Sequence, residues 1–237
     1  MAEHAVVSQA AWLKARLELL EREKAFTRER DALAQARRDL PWVRVEKAYR
    51  FESIKGEVGL ADLFAGCSQL IVYHFMFGPD WQEGCPSCSF WADNYNGTLG
   101  HLRARDINLV VASRAPLARL QGYKERMGWN FNWVSTSPGD FSFDYGASFD
   151  ALDPPPREPN YNFGTQVFGG EEAPGLSVFT RRDDSVFHTY SCYARGLEDL
   201  NGAYRHMDVV PHGRNEAELP WPMAWVRRHD RYSETGE

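Results

Sequence analysis

A short apolar, β-branched run, Leu70-Ile71-Val72-Tyr73-His74-Phe75, passes through the turn-forming Gly78-Pro79-Asp80 and reaches Cys85-Pro86-Ser87-Cys88. That succession constrains the chain more than any other feature. The run is strand-sized, and a proline directly after Cys85 suits the first position of an α-helix, whose N–H has no intrahelical partner anyway. Cys85 is therefore expected at a helix N-terminus, where unpaired amides and the helix dipole favour a thiolate. Cys88 follows one turn later, within reach of a mixed disulfide formed at Cys85. A dithiol–disulfide redox centre is the chemistry this spacing serves best. A zinc site would ask for a second C-x-x-C or a paired-histidine partner. The sequence holds neither, and Cys67 and Cys192 stand singly.

At 237 residues the chain suits one domain with embellishments and can bury a core without disulfide staples. Its formal net charge of −6 speaks against nucleic acid as the main partner. The start, Met1-Ala2-Glu3-His4, lacks a basic region followed by an apolar segment, so no signal peptide is read. No apolar run approaches the length of a bilayer span. The expectation is a soluble cytoplasmic protein with no membrane partner, and in a reducing compartment a C-x-x-C reads as a working dithiol.

Residues 9–38 are predicted to form one long helix capped by Ser8. Trp12, Leu19, Phe26, Leu33 and Leu40 recur every seven residues, with Leu13, Leu17 and Leu20 widening the stripe. Only one position per heptad is consistently apolar, where a coiled-coil seam wants two. The helix is expected to lie across its own domain, with a homodimer through it as the alternative. Pro41 closes it. Val43-Arg44-Val45 and Tyr49-Arg50-Phe51 read as extended, and Lys55-Gly56 as a turn. The helix opened by Pro86 is expected to reach about Arg105, because Trp91, Tyr95, Leu99 and Leu102 keep helical spacing, with Gly97 and Gly100 as weak points. A buried strand over Ile107 to Ala112, a helix between Pro116 and Gly128, and an extended stretch from Trp129 to Val134 follow. Residues 148–173, with Pro154-Pro155-Pro156 and Gly169-Gly170, form an insertion without periodicity. Leu176 to Thr180 and Ser185 to Tyr190 flank a four-residue polar turn and predict a hairpin. A last helix is expected over Leu197 to Met207, followed by an aromatic tail around Trp221-Pro222-Met223-Ala224-Trp225 that packs back on the body. The domain reading is a helical extension over 1–40, an α/β domain over 41–210 and a C-terminal tail over 211–237. The alternation implies a three-layer α/β sandwich whose mixed sheet has a parallel half and a hairpin half.

That order, with a dithiol after the first core strand and Ala173-Pro174-Gly175-Leu176 before the hairpin, resembles the thioredoxin superfamily over residues 43–207. The nearest likeness is to the bacterial family of unknown function DUF899. It is carried by Leu40-Pro41-Trp42-Val43, Tyr73-His74-Phe75-Met76-Phe77-Gly78, Gly84-Cys85-Pro86-Ser87-Cys88-Ser89-Phe90-Trp91 and Tyr193-Ala194-Arg195-Gly196. The superfamily pattern implies that Cys85 is the attacking thiol and Cys88 the resolving one. It also implies that Pro174 is the cis-proline whose neighbouring backbone, including Ala173, pairs with bound substrate. Leu109 to Pro116 and Met127 to Phe131 are similar to the peroxiredoxin branch. That branch keeps a threonine three residues before its peroxidatic cysteine; here Gln82 precedes Cys85 at that distance.

Other residues qualify as auxiliaries. Cys192, at the far end of the second hairpin strand, is expected to return to the sheet edge that carries Cys85, either as a third thiol or as a small buried residue. His74 and His188 are the histidines expected to approach the site. Trp81 is a candidate for shaping access to Cys85, Arg114 for steadying an anion, Cys67 is read as inert and Trp91 as core. The leading expectation is a thiol–disulfide oxidoreductase acting on a disulfide-containing protein or a small thiol. It needs a cellular reductant or oxidant, no organic cofactor and no metal. The alternatives are a metal-binding or thiol-sensing module on Cys85, Cys88 and Cys192, His74 or His188; a peroxiredoxin-like peroxidase; or a scaffold that binds through its N-terminal helix.

Overall fold

The computed structural model of the chain describes residues 4–151 and 157–232, so Pro154-Pro155-Pro156 lies outside the described residues. The chain divides into two compact units, Met1–Pro41 and Trp42–Glu237. The first is built on α1 (Gln9–Arg38), whose first turn is capped as expected, Ser8 Oγ accepting from the Ala11 N–H at 3.3 Å. The helix stops before Pro41, at Asp39, whose N–H bonds the Gln35 carbonyl at 3.1 Å. None of its residues is buried, and Trp12, Leu17 and Phe26 keep 51%, 52% and 63% of their surface exposed.

Among the described residues the second unit holds eight strands: β1 (Val43–Arg44), β2 (Arg50–Ser53), β3 (Gly56–Gly59), β4 (Gln69–His74), β5 (Ile107–Ser113), β6 (Asn132–Ser135), β7 (Gly175–Arg182) and β8 (Ser185–Tyr193). They form one mixed sheet in the order β1-β8-β7-β4-β5-β6-β2-β3. β4, β5 and β6 pair in parallel, while β7 and β8 form an antiparallel hairpin on the other side of β4. Among the described residues the unit also has five α-helices, beside shorter 3₁₀ turns: α2 (Pro86–Ala92), α3 (Leu99–Ala104), α4 (Leu117–Arg126), α5 (Phe141–Asp144) and α6 (Gly202–Met207).

Side chains alternate along each strand, so each strand feeds two cores. Tyr73 and Phe75 join Trp91 of α2, Leu120 and Tyr123 of α4, and Tyr204 of α6 on one face. Leu70 and Val72 join Phe51, Phe64, Phe141 of α5 and Phe179 on the other. Helices on both sides of a mixed sheet make the expected three-layer α/β sandwich. No described helix is long and apolar enough to cross a membrane.

Three elements differ from expectation. The helix after Pro86 ends at Ala92, and α3 restarts at Leu99. Polar side chains pull the intervening residues out of the helix: Asn94 Nδ2 donates to the Phe90 carbonyl at 2.9 Å, Asp93 Oδ1 accepts from Trp129 Nε1 at 2.8 Å, and Asn96 Nδ2 donates to the Gly128 carbonyl at 2.9 Å. The last helix is likewise two pieces, a 3₁₀ stretch over Ala194–Leu200 and then α6. Buried Asn201 divides them by accepting the Tyr204 N–H at 3.0 Å as the cap of α6. The hairpin turn is shorter than read, with only Asp183 and Asp184 outside the strands, and Asp183 at φ 54°. A two-residue loop needs such left-handed backbone to match the strand twist. Replacing Asn201 by Ala removes the cap, and chemical denaturation is expected to register a loss of about 1 kcal/mol, while Asn201→Ser keeps most of it.

Candidate active site

Beyond β4 the chain continues through buried Phe75 and Phe77 and returns to the Phe75 ring at Gly84. Both cysteines of the motif are bound to one backbone unit. The Cys85 N–H donates to the Met76 carbonyl at 3.1 Å, and the Met76 N–H donates to Cys88 Sγ at 3.4 Å. Gly84 is required for this return, because a Cβ there would lie 2.6 Å from the Phe75 ring and 3.0 Å from Tyr123. Cys85 then takes the N-cap position of α2, with Pro86 at its first turn. Arg228, from the C-terminal segment, donates to the Gly84 carbonyl at 2.7 Å and to the Tyr123 hydroxyl at 2.9 Å. Ser89 Oγ lies 2.9 Å from that hydroxyl and donates to the Cys85 carbonyl at 2.9 Å.

The two sulfurs sit in contrasting environments. Both are reduced; Cys85 is partly exposed and Cys88 is buried. The Cys88 thiol hydrogen-bonded to it lowers the Cys85 thiol from 9.0 to about 7. The N–H groups of Cys88 and Ser87 and the Ser87 hydroxyl add to this, against the opposing effect of burial. Burial drives the Cys88 thiol well up, and its bond to Cys85 pushes it further. The hydroxyl of Tyr73 also bonds to Cys88, and burial raises that phenol so that it stays protonated. Above about pH 7 the favoured state is therefore a thiolate on Cys85 beside a thiol on Cys88.

A cavity of about 400 Å³ opens beside the buried sulfur, lined by Cys88, Tyr73, Met76 and Trp91, by Pro174, and by residues of the C-terminal third. Pro174 thus lies across the same space as Cys88. Buried Ala173 is fixed by its N–H to the Ala147 carbonyl at 2.9 Å, and the Pro174 carbonyl accepts the Tyr161 hydroxyl. Trp81 does not line the cavity; its indole lies over Gly78. Cys192 faces Leu176 in the hairpin register and belongs to the same core as Cys88. Tyr95, raised first by burial, feels the charge of both sulfurs.

His74 and His188 are not at the dithiol. Strand alternation sends Tyr73 to the thiol face and His74 to the opposite one, where it stacks on Phe141 and Tyr145. There His74 Nε2 lies 2.9 Å from Ser177 Oγ, Ser177 bonds Ser191 at 2.9 Å, and Ser191 bonds His188 Nε2 at 2.8 Å. Burial lowers His74 from 6.5 to about 3, with His188 adding to the shift, so it stays neutral at ordinary pH. Arg114 is engaged by Glu172 at 3.0 Å and stacks on Phe143. Among the described residues no three His, Cys, Asp or Glu side chains are grouped to hold a metal ion.

Sequence reading missed Tyr73, whose place beside Phe75 on an alternating strand was a usable signal, and the cavity wall built from residues 194–223.

The family model for "Bacterial protein of unknown function (DUF899)" matches residues 1–232. The chain belongs to that family. Solved structures similar to this DUF899 protein include a mutant of peroxiredoxin Q from Xanthomonas campestris, at 13% identity and a TM-score of 0.48, covering 71% of this chain and 98% of that one. Peroxidoxin BcpB from Mycobacterium tuberculosis is 12% identical at a TM-score of 0.46, covering 70% and 97%. StoA from Bacillus subtilis is 11% identical at 0.37, covering 66% and 97%. A comparison with curated proteins gave no match.

Two outcomes follow from this geometry in the DUF899 protein. Alkylation of Cys85 by iodoacetamide depends on the thiolate, so its rate is expected to rise with pH and reach half its plateau near 7, where an ordinary cysteine would need about 8.5. Gly84→Ala forces the Phe75 ring or the Cys85 loop to move; urea unfolding is expected to show a loss of about 1–3 kcal/mol, and the alkylation midpoint to shift up.

Proposed function

We propose that this protein is a thiol–disulfide oxidoreductase that works through Cys85 and Cys88. The observation that carries the reading is the asymmetry of the pair, a partly exposed sulfur lowered to about 7 beside a buried sulfur raised well above its ordinary value. An attacking thiol is most effective when its pKa is near ambient pH. The Cys85 thiolate attacks one sulfur of a substrate disulfide, forms a mixed disulfide and releases the first thiolate. Cys88 then loses its proton and attacks Cys85 Sγ, closing the Cys85–Cys88 disulfide and releasing the second thiolate. The Met76 N–H and the Tyr73 hydroxyl stabilise negative charge on Cys88 as it becomes the nucleophile. Pro174, which lines the cavity together with Cys88, is the surface against which the substrate would lie. The electrons reside in the cysteine pair, so no organic cofactor enters, and a cellular thiol reductant regenerates the dithiol.

Cys85→Ser is expected to reduce disulfide turnover at least 100-fold. Cys88→Ser is expected to keep the reactive Cys85 but stop after one attack, so intact-mass spectrometry finds the substrate half bound to Cys85. Turnover by Cys85→Ser, or undiminished turnover by Cys88→Ser, would rule the mechanism out. Hydrogen peroxide offered as the oxidant in the same assay tests the peroxidase alternative: rapid single-turnover oxidation of Cys85 would favour it over disulfide exchange.

A further inference from the structure

The cavity next to Cys88 is made of two kinds of surface. Its apolar walls are Met76, Trp91, Leu197, Tyr204 and Met223, together with Pro174. Its charged members are Arg195, Arg214, Glu198 and Glu216, two of each sign, and each is already satisfied by the protein itself. Arg214 pairs with Asp208 at 2.7 Å and Glu198 at 3.3 Å and lies 3.9 Å over the Tyr204 ring. Arg195 pairs with Glu198 at 2.8 Å. Glu216 accepts from the Tyr204 hydroxyl at 2.8 Å, the Trp225 indole at 2.7 Å and the Met223 N–H at 3.1 Å. The partly buried charges are thus committed to one another and to neighbouring donors, while Arg195 stands largely in solvent, so a charged ligand entering the cavity interior would lose its water without a new partner.

The volume sets the size of an occupant. An engineered apolar cavity of about 150 Å³ holds a benzene ring, so about 400 Å³ takes a ring with a short chain, within the usual range of small-molecule sites. The chemistry sets what it is attached to. Cys85 does not itself line the cavity, but Met76, Ser87 and Cys88 do, and Met76 holds both the Cys85 N–H and the Cys88 sulfur, so a group bonded to Cys85 Sγ starts beside the cavity.

We infer that this cavity receives the uncharged apolar substituent of the substrate sulfur, so that the preferred disulfides and thiols carry an aromatic or short alkyl group. The inference rests on the dithiol reading above and specifies its substrate class. In the step concerned, Cys85–S⁻ and R–S–S–R′ give Cys85–S–S–R and R′–S⁻. Deprotonated Cys88 then displaces R–S⁻ from Cys85, the Cys88 proton passing to water or to the departing sulfur. R occupies the cavity while the mixed disulfide lasts. Such an R belongs either to a small thiol or to an apolar side chain beside a cysteine of a peptide.

The test compares reduction of dibenzyl disulfide, bis(2-hydroxyethyl) disulfide and oxidised glutathione by the full chain. A second arm uses disulfide-linked dimers of acetyl-Phe-Cys-amide and acetyl-Ser-Cys-amide. The benzyl compound is expected to show kcat/KM at least tenfold above the other two small disulfides if the source is a small thiol. A tenfold preference for the Phe peptide over the Ser peptide identifies an apolar neighbour of a peptide cysteine; either result supports the site. Leu197→Trp fills the cavity and should collapse the preference, and Met223→Trp does the same from the other wall should the first variant fold poorly. Binding is read separately as quenching of tryptophan fluorescence by benzyl methyl sulfide in the Cys85→Ser, Cys88→Ser protein. Saturable binding that Leu197→Trp abolishes supports the site even if no disulfide is turned over, in which case the redox reading alone falls. Equal kcat/KM for all substrates, or the absence of saturable binding, overturns the inference.

Discussion

One hydrogen bond between two sulfurs governs the chemistry available to this protein. A proton held on Cys88 and directed at Cys85 favours the thiolate on one atom and the thiol on the other, so the pair titrates as a unit with its two ionisations driven apart. The bond depends on a backbone constraint, since Met76 gives its carbonyl to Cys85 and its N–H to Cys88. That constraint in turn depends on Gly84, which alone among residue types leaves room for the Phe75 ring.

The sheet separates two polar systems that a sequence places side by side. Tyr73 and His74 are neighbours in the chain, yet one joins the thiols and the other a buried histidine–serine chain on the opposite face. No imidazole therefore reaches the dithiol from this strand, and the groups that handle protons at Cys88 are a phenol, an amide and the other thiol. The neutral His74 has a structural part instead, bridging β4 to the hairpin through Ser177 and Ser191.

Residues after α6 complete the thiol face in two ways. Arg228 fixes the Gly84 carbonyl and Tyr123, steadying the loop that presents Cys85. Met223 and Glu216 close the cavity beside Cys88, the carboxylate of Glu216 collecting three donors so that its charge is spent inside the protein. The site is thus assembled from the ends of the domain as well as from its central strand.

Much of this was legible from local pattern. The strand–C-x-x-C–helix junction, the parallel pairing implied by continuous apolar runs, the hairpin and the 30-residue α1 with its Ser8 cap follow from propensity, capping and periodicity, which act over a few residues. The helices that broke at Asp93 and Asn201 did so through hydrogen bonds, some reaching distant residues such as Gly128 and Trp129, that helical spacing does not encode. What the sequence by itself determined is where the thiols sit and that the helix N-terminus would hold them, because both are consequences of four adjacent residues. Only the tertiary structure decided that Tyr73 serves them and His74 does not, and that an apolar cavity borders Cys88, because the first depends on which face of a strand is turned toward α2 and the second on side chains more than 100 positions away along the chain.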